Sequence, residues 1–128
     1  MRREQRLRKS RDFALVRREG RSWPGRLLVL VARPNGLDLT RFGFSVSKRV
    51  GNAVTRNRVK RRLREAARLS DVGPGWDILL IARAGAGDAI YHELERSMTN
   101  LFKRAKLVRP NRESPALVRS GGAGARGA

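Results

Sequence analysis

A dense basic run at residues 48–68 is the feature of the sequence with the clearest chemical meaning. The run contains nine Lys and Arg residues and a single acid, Glu65. Such a density of cations suits the binding of phosphate groups, because a guanidinium can donate two parallel hydrogen bonds to one phosphate. We therefore predict that this run contacts a polyanion, with nucleic acid as the leading candidate. A solvated basic face without a partner is the alternative.

On a helix with about 100° per residue, this run separates into two faces. The predicted buried stripe consists of apolar residues within about 80° of one another: Val59, Leu63, Ala66 and Ala67. An arc about 100° wide on the far side is polar and basic: Asn57, Lys60, Arg61, Arg64 and Arg68. Arg56 and Arg62 flank the stripe, where their stems can cover its edges. Asn52 is suited to cap this helix, which we expect to end near Leu69.

The whole chain is strongly basic. Its 128 residues include 30 Lys and Arg against 11 Asp and Glu, a formal net charge of +19. Residues 1–68 hold 21 of these cations and five of the acids. So large a charge favours a polyanionic partner, either a nucleic acid or, less well supported, an anionic membrane surface. The 25 Arg against 5 Lys also fit the codon bias of a GC-rich genome.

Few residues suit catalysis or metal binding. The chain has no cysteine, which excludes disulfides, thiolate metal sites and a cysteine nucleophile. His92 is the only histidine, and the five aspartates do not fall in paired metal spacing. The apolar runs are far shorter than the roughly 20 residues of a membrane span. No secretory signal is predicted at the charged N-terminus, so we expect a cytoplasmic protein. From the residue types above we expect no catalytic or metal-binding side chains.

The first half of the chain predicts a helix followed by strands. Ser10 is suited to cap a short helix that ends at Gly20, with Phe13 and Val16 on one side. Trp23, Pro24 and Gly25 predict a break, and residues 27–33 a strand. Residues 41–47 alternate between large apolar and small side chains, which predicts a half-buried strand. Its small face either meets solvent or leaves room for an approaching backbone.

The second half predicts one strand and one helix. Residues 72–75 end the basic helix, and residues 76–83 form an apolar strand. Asp88 is expected to cap a last helix, whose apolar stripe includes Met98 as a core residue: Ile90, Leu94, Leu101, Phe102 and Ala105. We therefore predict a small α+β sandwich at residues 10–109, a flexible basic arm at 1–9 and a disordered Gly/Ala/Arg tail at 110–128.

The run at residues 44–54, followed by Arg56-Asn57-Arg58-Val59-Lys60-Arg61 and Arg64, resembles the signature of the bacterial ribonuclease P protein component. The "RNR" element of that family is intact here. The Ser-Arg-Asp-Phe start of the first helix, the strand at 76–83 and the Leu101-Phe102 pair resemble the family as well. The resemblance covers about residues 7–107.

This resemblance implies a two-layer α+β sandwich of about four strands and three helices in the order α-β-β-β-α-β-α. The family's strand–helix–strand crossover around the basic helix is left-handed, as in the second domain of a ribosomal protein. General packing rules favour the right-handed connection, so only the resemblance leads us to expect the opposite hand.

The resemblance also implies a function. Proteins of this family are the small subunit of ribonuclease P, an endonuclease (a hydrolase) that removes the 5′ leader during tRNA processing. The active site and its Mg²⁺ belong to the RNA subunit, and the protein itself binds no cofactor. The implied partners are the catalytic RNA, at one protein per RNA, and the leader of precursor tRNA, with no membrane. The RNA contacts implied by the resemblance are Arg56, Asn57, Lys60, Arg61 and Arg64. We add as candidate contacts Lys48, Arg49, Asn52, Arg58 and Arg68, although Arg58 could instead meet a neighbouring carboxylate.

The family binds the single-stranded leader in a cleft between the first helix and the sheet. Phe13 matches an aromatic residue of that cleft, although simple core packing would explain it equally well. Arg17 and Val31 occupy positions where relatives can carry aromatic residues, and Ser45 and Ser47 are expected at the cleft floor. Aromatic stacking contributes about 1–3 kcal/mol per base. We therefore expect this chain to hold the leader with less stacking and more charge.

Two other functional classes fit parts of the sequence. A ribosomal or other structural RNA-binding protein would explain the basic helix but not the motif. A helix bound to a membrane surface fits least, because the apolar stripe is short and contains no Trp or Phe.

Overall fold

The computed structural model describes residues 2–108, in which helices and strands follow the predicted order. They are α1 (Ser10–Glu19), β1 (Arg21–Pro24), β2 (Leu28–Pro34), β3 (Arg41–Ser45), α2 (Ala53–Arg68), β4 (Trp76–Ala82) and α3 (Tyr91–Arg104). Short 3-10 turns form at Arg3–Gln5, Lys48–Val50 and Ala84–Asp88. The predicted tail at 110–128 lies outside the described residues.

The strands form one sheet in the order β1-β2-β4-β3. β2 pairs antiparallel with both β1 and β4, whereas β3 and β4 are parallel and are joined through α2. The β3–α2–β4 connection is consistent with the crossover that the family resemblance implies. The order places β1 and β3 at opposite edges of the sheet, and β3 is therefore open on one side.

The larger core lies between the sheet and the α2–α3 layer, which together make the predicted two-layer sandwich. Alternate residues of β2 and β4 face this core, among them Leu30 and Leu80, both fully buried. The predicted α2 stripe is confirmed, because all of its members are buried: Val59, Leu63, Ala66 and Ala67. α3 contributes Leu94, Met98, Leu101 and Phe102, so Met98 and Phe102 are core residues as predicted.

A smaller core lies on the other face of the sheet, where α1 packs. It consists of Leu7, Val16, Val31 and Leu79, with Phe13 against it. α1 ends at Gly20 as predicted. Glycine fits this position because a side chain would collide with its neighbours, and not because the backbone is left-handed, since φ is −80°. A Cβ at Gly20 would lie 2.8 Å from Val31 Cγ1. The predicted cap is shifted by one residue: Lys9 occupies the N-cap position, and Ser10 is already helical.

The arm predicted to be flexible at residues 1–9 is attached to the sheet. The Leu7 amide donates a 2.8 Å hydrogen bond to the Phe42 carbonyl, on the open edge of β3. The Leu7 side chain is only 5% exposed. Its burial makes residue 7 part of the folded domain, three residues before the predicted boundary at residue 10.

The small-residue face of β3 meets neither solvent nor a backbone at Gly43. The side chains of Phe13 and Leu7 lie there, 2.6 and 3.0 Å from the position a Cβ would occupy. β3 also ends at Ser45, before Ser47. The absence of a side chain at residue 43 therefore allows α1 and the arm to pack on this strand.

Three further predictions were wrong. Trp23 and Pro24 do not form a break; they belong to β1, which pairs with β2 before the turn at Gly25. Asp88 does not cap the last helix, because a 3-10 turn ends there and α3 begins later, at Tyr91. Glu93 Oε1 instead accepts the Ile90 amide at 3.0 Å. Ile90 therefore lies at the N-cap and is 60% exposed rather than buried.

A buried ion cluster closes the end of the sheet near the start of β4. The Asp77 side chain is 1% exposed and accepts two hydrogen bonds from Arg41, at 2.8 Å from Nε and 2.7 Å from Nη2. Asn35 Nδ2 donates a further bond at 2.9 Å, and Arg33 Nη1 lies 3.5 Å away. The cluster ties β2, β3 and β4 together through one carboxylate.

Candidate nucleic-acid interface

The basic face of α2 is positioned by its cap and by its buried stripe. Asn52 Oδ1 accepts the Thr55 amide at 2.9 Å, which fixes the first turn and confirms the predicted cap. Because the apolar stripe packs on the sheet and α3, the opposite arc faces outward. On it, Asn57, Arg61 and Arg68 are exposed, and Lys60 and Arg64 are partly exposed.

The cations of this arc differ in whether a carboxylate neutralises them. Within residues 2–108, Lys60, Arg61 and Arg64 form no ion pair. Arg68 donates to both carboxylate oxygens of Glu65, at 3.0 Å from Nε and 2.8 Å from Nη2. These hydrogen bonds lower the pKa of the Glu65 carboxyl. Lys60, Arg61 and Arg64 are therefore better placed than Arg68 to meet a phosphate.

Three other arginines of α2 are engaged with backbone carbonyls. Arg56 Nη1 donates to Gly51 O at 2.9 Å, and Arg62 Nη1 donates to Ala89 O at 2.9 Å. Arg58 Nη2 donates to Gly87 O at 3.1 Å, not to a neighbouring carboxylate. Arg58 and Arg62 thus hold the segment between β4 and α3 against the helix. Each guanidinium keeps further N–H groups for another acceptor.

The residues before α2 bring more charge to its N-terminus. Lys48 and Arg49 are exposed on a 3-10 turn, next to the capping residue Asn52. Gly51 follows with a φ of +154°, in the region that favours glycine, and a Cβ there would lie 2.8 Å from Thr55 Cγ2. This sharp turn connects the exposed Lys48 and Arg49 and the buried Val50 to the start of the helix.

An open cleft of about 630 Å³ lies along the edge of β3, and we call it the β3-edge cleft. The arm and α1 form one wall, and α2 forms the other. It is lined by Arg3, Arg6, Leu7, Arg8, Phe13, Phe42, Gly43, Phe44, Lys60 and Arg64. Cations thus converge from both walls, and Phe13 and Phe44 present rings on opposite faces of the strand.

One donor in this cleft has no acceptor. Arg64 Nε is buried and forms no hydrogen bond with any of the described residues. Leaving a buried donor unpaired costs about 1–3 kcal/mol, and more for a charged group. The other N–H groups of the Arg64 guanidinium remain for an anionic oxygen bound in the cleft that this residue lines.

The structure brings only some of the predicted cleft residues together. Phe13 lines the β3-edge cleft and also packs against the smaller core, so core packing is observed and contact with RNA stays a prediction. Arg17 Nη2 donates to Ser45 Oγ at 3.3 Å, on the neighbouring part of the same sheet face. Ser47 is exposed beyond the end of β3. Val31 is 4% exposed beneath α1 and does not reach the cleft surface.

Sequence reasoning did not assign to the cleft three cations of the arm and one partly exposed ring: Arg3, Arg6, Arg8 and Phe44. The strand alternation assigns Phe44 to the core side of β3, and the structure agrees. Its ring is partly exposed because β3 is an edge strand. No local signal in the sequence shows which strand lies at an edge, or that the arm folds along it.

The described residues outside the cleft offer little other chemistry. In residues 2–108, no group of three or more His, Cys, Asp or Glu side chains is arranged to hold a metal ion. His92 is exposed, with Nδ1 4.0 Å from Glu95 Oε1. No helix in this part of the chain is long and apolar enough to cross a bilayer.

Comparisons with known proteins identify similar chains. The sequence model of the family described as Ribonuclease P matches residues 1–106. A ribonuclease P protein component from Herpetosiphon aurantiacus is 43% identical over 118 residues, which are 91% of this chain and 95% of the relative. One from Clostridium botulinum is 43% identical over 107 residues, 81% and 96% of the two chains.

Solved structures are similar as well. The RNase P protein of Staphylococcus aureus superposes with a TM-score of 0.75 at 35% identity, covering 82% of this chain and 98% of that one. The protein of Thermotoga maritima gives a TM-score of 0.71 at 34% identity, covering 77% and 96%.

Proposed function

The chain belongs to the ribonuclease P protein family, and we propose that it acts as the protein subunit that binds the catalytic RNA and the 5′ leader of precursor tRNA. In this role it supports the endonucleolytic removal of the leader during tRNA processing. The convergence of cations from both walls and of two partly exposed aromatic rings on the β3-edge cleft is the observation that carries the proposal.

The cleft suits single-stranded RNA for two physical reasons. Phosphates of the backbone can bind the cations of both walls, among them Lys60 and Arg64 of α2. Bases without a pairing partner can stack on Phe13 and Phe44, with about 1–3 kcal/mol per stacked base. We therefore assign the leader to this cleft.

The outer arc of α2 and the turn before it suit the catalytic RNA. Arg61 and Asn57 are exposed there, and Lys48 and Arg49 extend the same basic surface past the helix N-terminus. Cations spaced along a helix can follow the phosphates of an RNA strand. In this arrangement Lys60 and Arg64 lie between the two RNA segments, because they border both the arc and the cleft.

The reaction itself is assigned to the RNA subunit and its Mg²⁺, as the family resemblance implies. The contribution of this chain is to neutralise phosphates and to hold the leader, which raises the local concentration of the precursor at the RNA. We place one protein on each catalytic RNA, in the cytoplasm.

Reconstitution tests this function. The protein is mixed with its cognate ribonuclease P RNA and a precursor tRNA at a low Mg²⁺ concentration, and the released leader is measured. We expect cleavage at the mature 5′ end only when the RNA is present, and a strong reduction for the Lys60→Ala/Arg64→Ala variant. Cleavage by the protein without RNA would disprove the proposal. Failure of the protein to restore cleavage by a matched RNA at low Mg²⁺ would disprove it as well. Co-purification with ribosomal subunits instead would favour a structural RNA-binding protein.

A further inference from the structure

A second groove lies at the opposite edge of the sheet from the β3-edge cleft. It has a volume of about 770 Å³ and runs between the turn after β1 and the outer side of α3, and we call it the β1-edge groove. Arg104 Nη1 donates to Pro24 O at 2.9 Å, which holds α3 against this edge. Three strand spacings of about 4.8 Å separate the two edges, so their backbones lie about 14 Å apart.

The β1-edge groove is lined by cations without carboxylate partners. They are Arg26, Arg96, Lys103 and Arg104, all of them exposed. None of the four forms an ion pair within residues 2–108. Like charges gathered in one groove repel one another, and a bound polyanion relieves that repulsion.

The two acids that line the same groove are occupied within α3. Glu93 Oε1 accepts the Ile90 amide at 3.0 Å, at the start of the helix. Glu95 Oε2 accepts the Thr99 hydroxyl at 3.0 Å, and Glu95 Oε1 lies 4.0 Å from His92 Nδ1. Neither carboxylate forms an ion pair with a groove cation within the described residues, and the four cations exceed the two acids by two charges.

Part of this surface is pre-organised for phosphate. Arg104, which lines the groove, donates to Pro24 O at 2.9 Å. This bond uses one N–H of the guanidinium and leaves others for a ligand. Holding the side chain in place beforehand reduces the entropy lost on binding.

The polar lining favours RNA over a membrane surface. Thr99 and Asn100 add neutral hydrogen-bonding groups beside the cations, of the kind that can contact a ribose 2′-hydroxyl. A helix bound at a membrane surface inserts large apolar side chains. The exposed large apolar residues of the described chain, Leu37, Val54, Leu69 and Ile90, do not line this groove.

We propose that the β1-edge groove binds the phosphate backbone of a further RNA segment, while the β3-edge cleft holds the leader and the outer arc of α2 holds the catalytic RNA. The protein then contacts separate RNA segments from opposite edges of one sheet. This inference rests on the proposed function for the identity of the polyanion as RNA.

A charge-removal experiment tests the groove. Arg26→Ala/Lys103→Ala removes two cations that donate no hydrogen bond within the described residues, so the fold is preserved. The control Arg2→Ala/Arg18→Ala removes the same charge from exposed cations that lie 3.9 and 3.8 Å from Glu4 and Glu19. Binding to the catalytic RNA is measured across a salt series. We expect the groove variant to reduce the slope of log K against log salt by about two units, and the control by clearly less. Equal slopes for the two variants would overturn the inference.

Site-specific cross-linking gives a second, independent test. Because the chain has no cysteine, Asn100→Cys in the groove and Asn57→Cys on α2 each provide a single attachment point for a photoreactive group. In the assembled holoenzyme with precursor tRNA, we expect cross-links from the two positions to fall in different RNA segments. No RNA cross-link from residue 100, or cross-links to the same nucleotides as residue 57, would overturn the inference. Loss of cross-links from residue 57 with those from residue 100 retained would count against the proposed function instead.

Discussion

The ring of Phe13 packs so closely on Gly43 that a Cβ at residue 43 would lie 2.6 Å from Phe13 Cε1. Leu7 Cδ1 lies 3.0 Å from the same position. Side chains of both α1 and the arm therefore pack on Gly43, and this contact places Phe13 at the mouth of the β3-edge cleft. Because residue 43 has no side chain, Phe13 and Leu7 can pack on β3 and form one wall of the cleft.

Gly43→Ala is expected to displace Phe13 and Leu7. Overpacking of this kind destabilises a fold by about 1–3 kcal/mol, and Tm falls by about 4–8 °C for each kcal/mol in a domain of this size. Leader affinity should fall as well. Gly85→Ala is the control, because its Cβ would meet only Leu27 Cδ2, at an ordinary 3.4 Å. Thermal unfolding and leader binding measure both variants, and equal Tm values would show that residue 43 has room for a side chain.

Lys60→Ala, Arg61→Ala and Arg64→Ala should each reduce the salt dependence of RNA binding by about one unit. If six to ten phosphates are bound, wild-type affinity falls by about 10³–10⁵ between 50 and 200 mM salt. Arg68→Ala should change the slope less, because Glu65 already neutralises Arg68. Filter binding across a salt series measures the slopes. A nearly flat wild-type slope would show that the basic face is not the contact surface.

Phe44→Leu should weaken binding of the leader while the fold is retained, because Leu preserves apolar packing at a partly exposed site. Loss of one stacked base removes about 1–3 kcal/mol, or about 5- to 150-fold in affinity. The comparison is between precursor tRNA and mature tRNA bound to the holoenzyme. An equal loss for both substrates would mean that Phe44 does not contact the leader.

Arg62→Ala should destabilise the protein, whereas Arg61→Ala should not. Arg62 donates to the Ala89 carbonyl at 2.9 Å, while Arg61 is exposed and donates no hydrogen bond within the described residues. A hydrogen bond from a charged group contributes about 1.5–3 kcal/mol. Urea unfolding of both variants measures the difference. The same free energy of unfolding for both would refute a positioning role for Arg62.

The buried ion cluster around Asp77 should make the free energy of unfolding depend on pH in the acid range. Burial by itself raises the pKa of Asp77, but hydrogen bonds from Arg41 and Asn35 and the charges of Arg41 and Arg33 hold that pKa below its ordinary value. Because the folded state lowers the pKa, the stabilisation is present above the unfolded pKa and is lost as pH falls through the folded one.

Asp77→Asn is therefore expected to cost about 2–3 kcal/mol at neutral pH, less than the ~3–5 kcal/mol of a fully buried pair. The reduction reflects Arg41, whose side chain is 25% exposed. The difference in the free energy of unfolding between wild type and variant should decrease below about pH 4. Urea unfolding at several pH values measures this difference. A difference that stays constant down to pH 2 would contradict the linkage.

The α2 helix shows how much the sequence alone determined. Its cap at Asn52, its buried stripe at Val59 and Leu63, and its outward cations depend on hydrogen bonds and periodicity within about 20 neighbouring residues. The same stretch carries the motif that identified the family. Local chemistry of this kind leaves its pattern directly in the order of residues.

Only the tertiary structure decided which of those cations are available and what faces them. Arg58 and Arg62 donate to carbonyls of Gly87 and Ala89, residues nearly 30 positions away, so no local pattern distinguishes them from Arg61. Phe44 gains its exposed ring from the position of β3 at the sheet edge. Strand order and long-range packing arise from the burial of the whole core. They place the basic helix α2 beside the edge strand β3, where it forms one wall of the cleft.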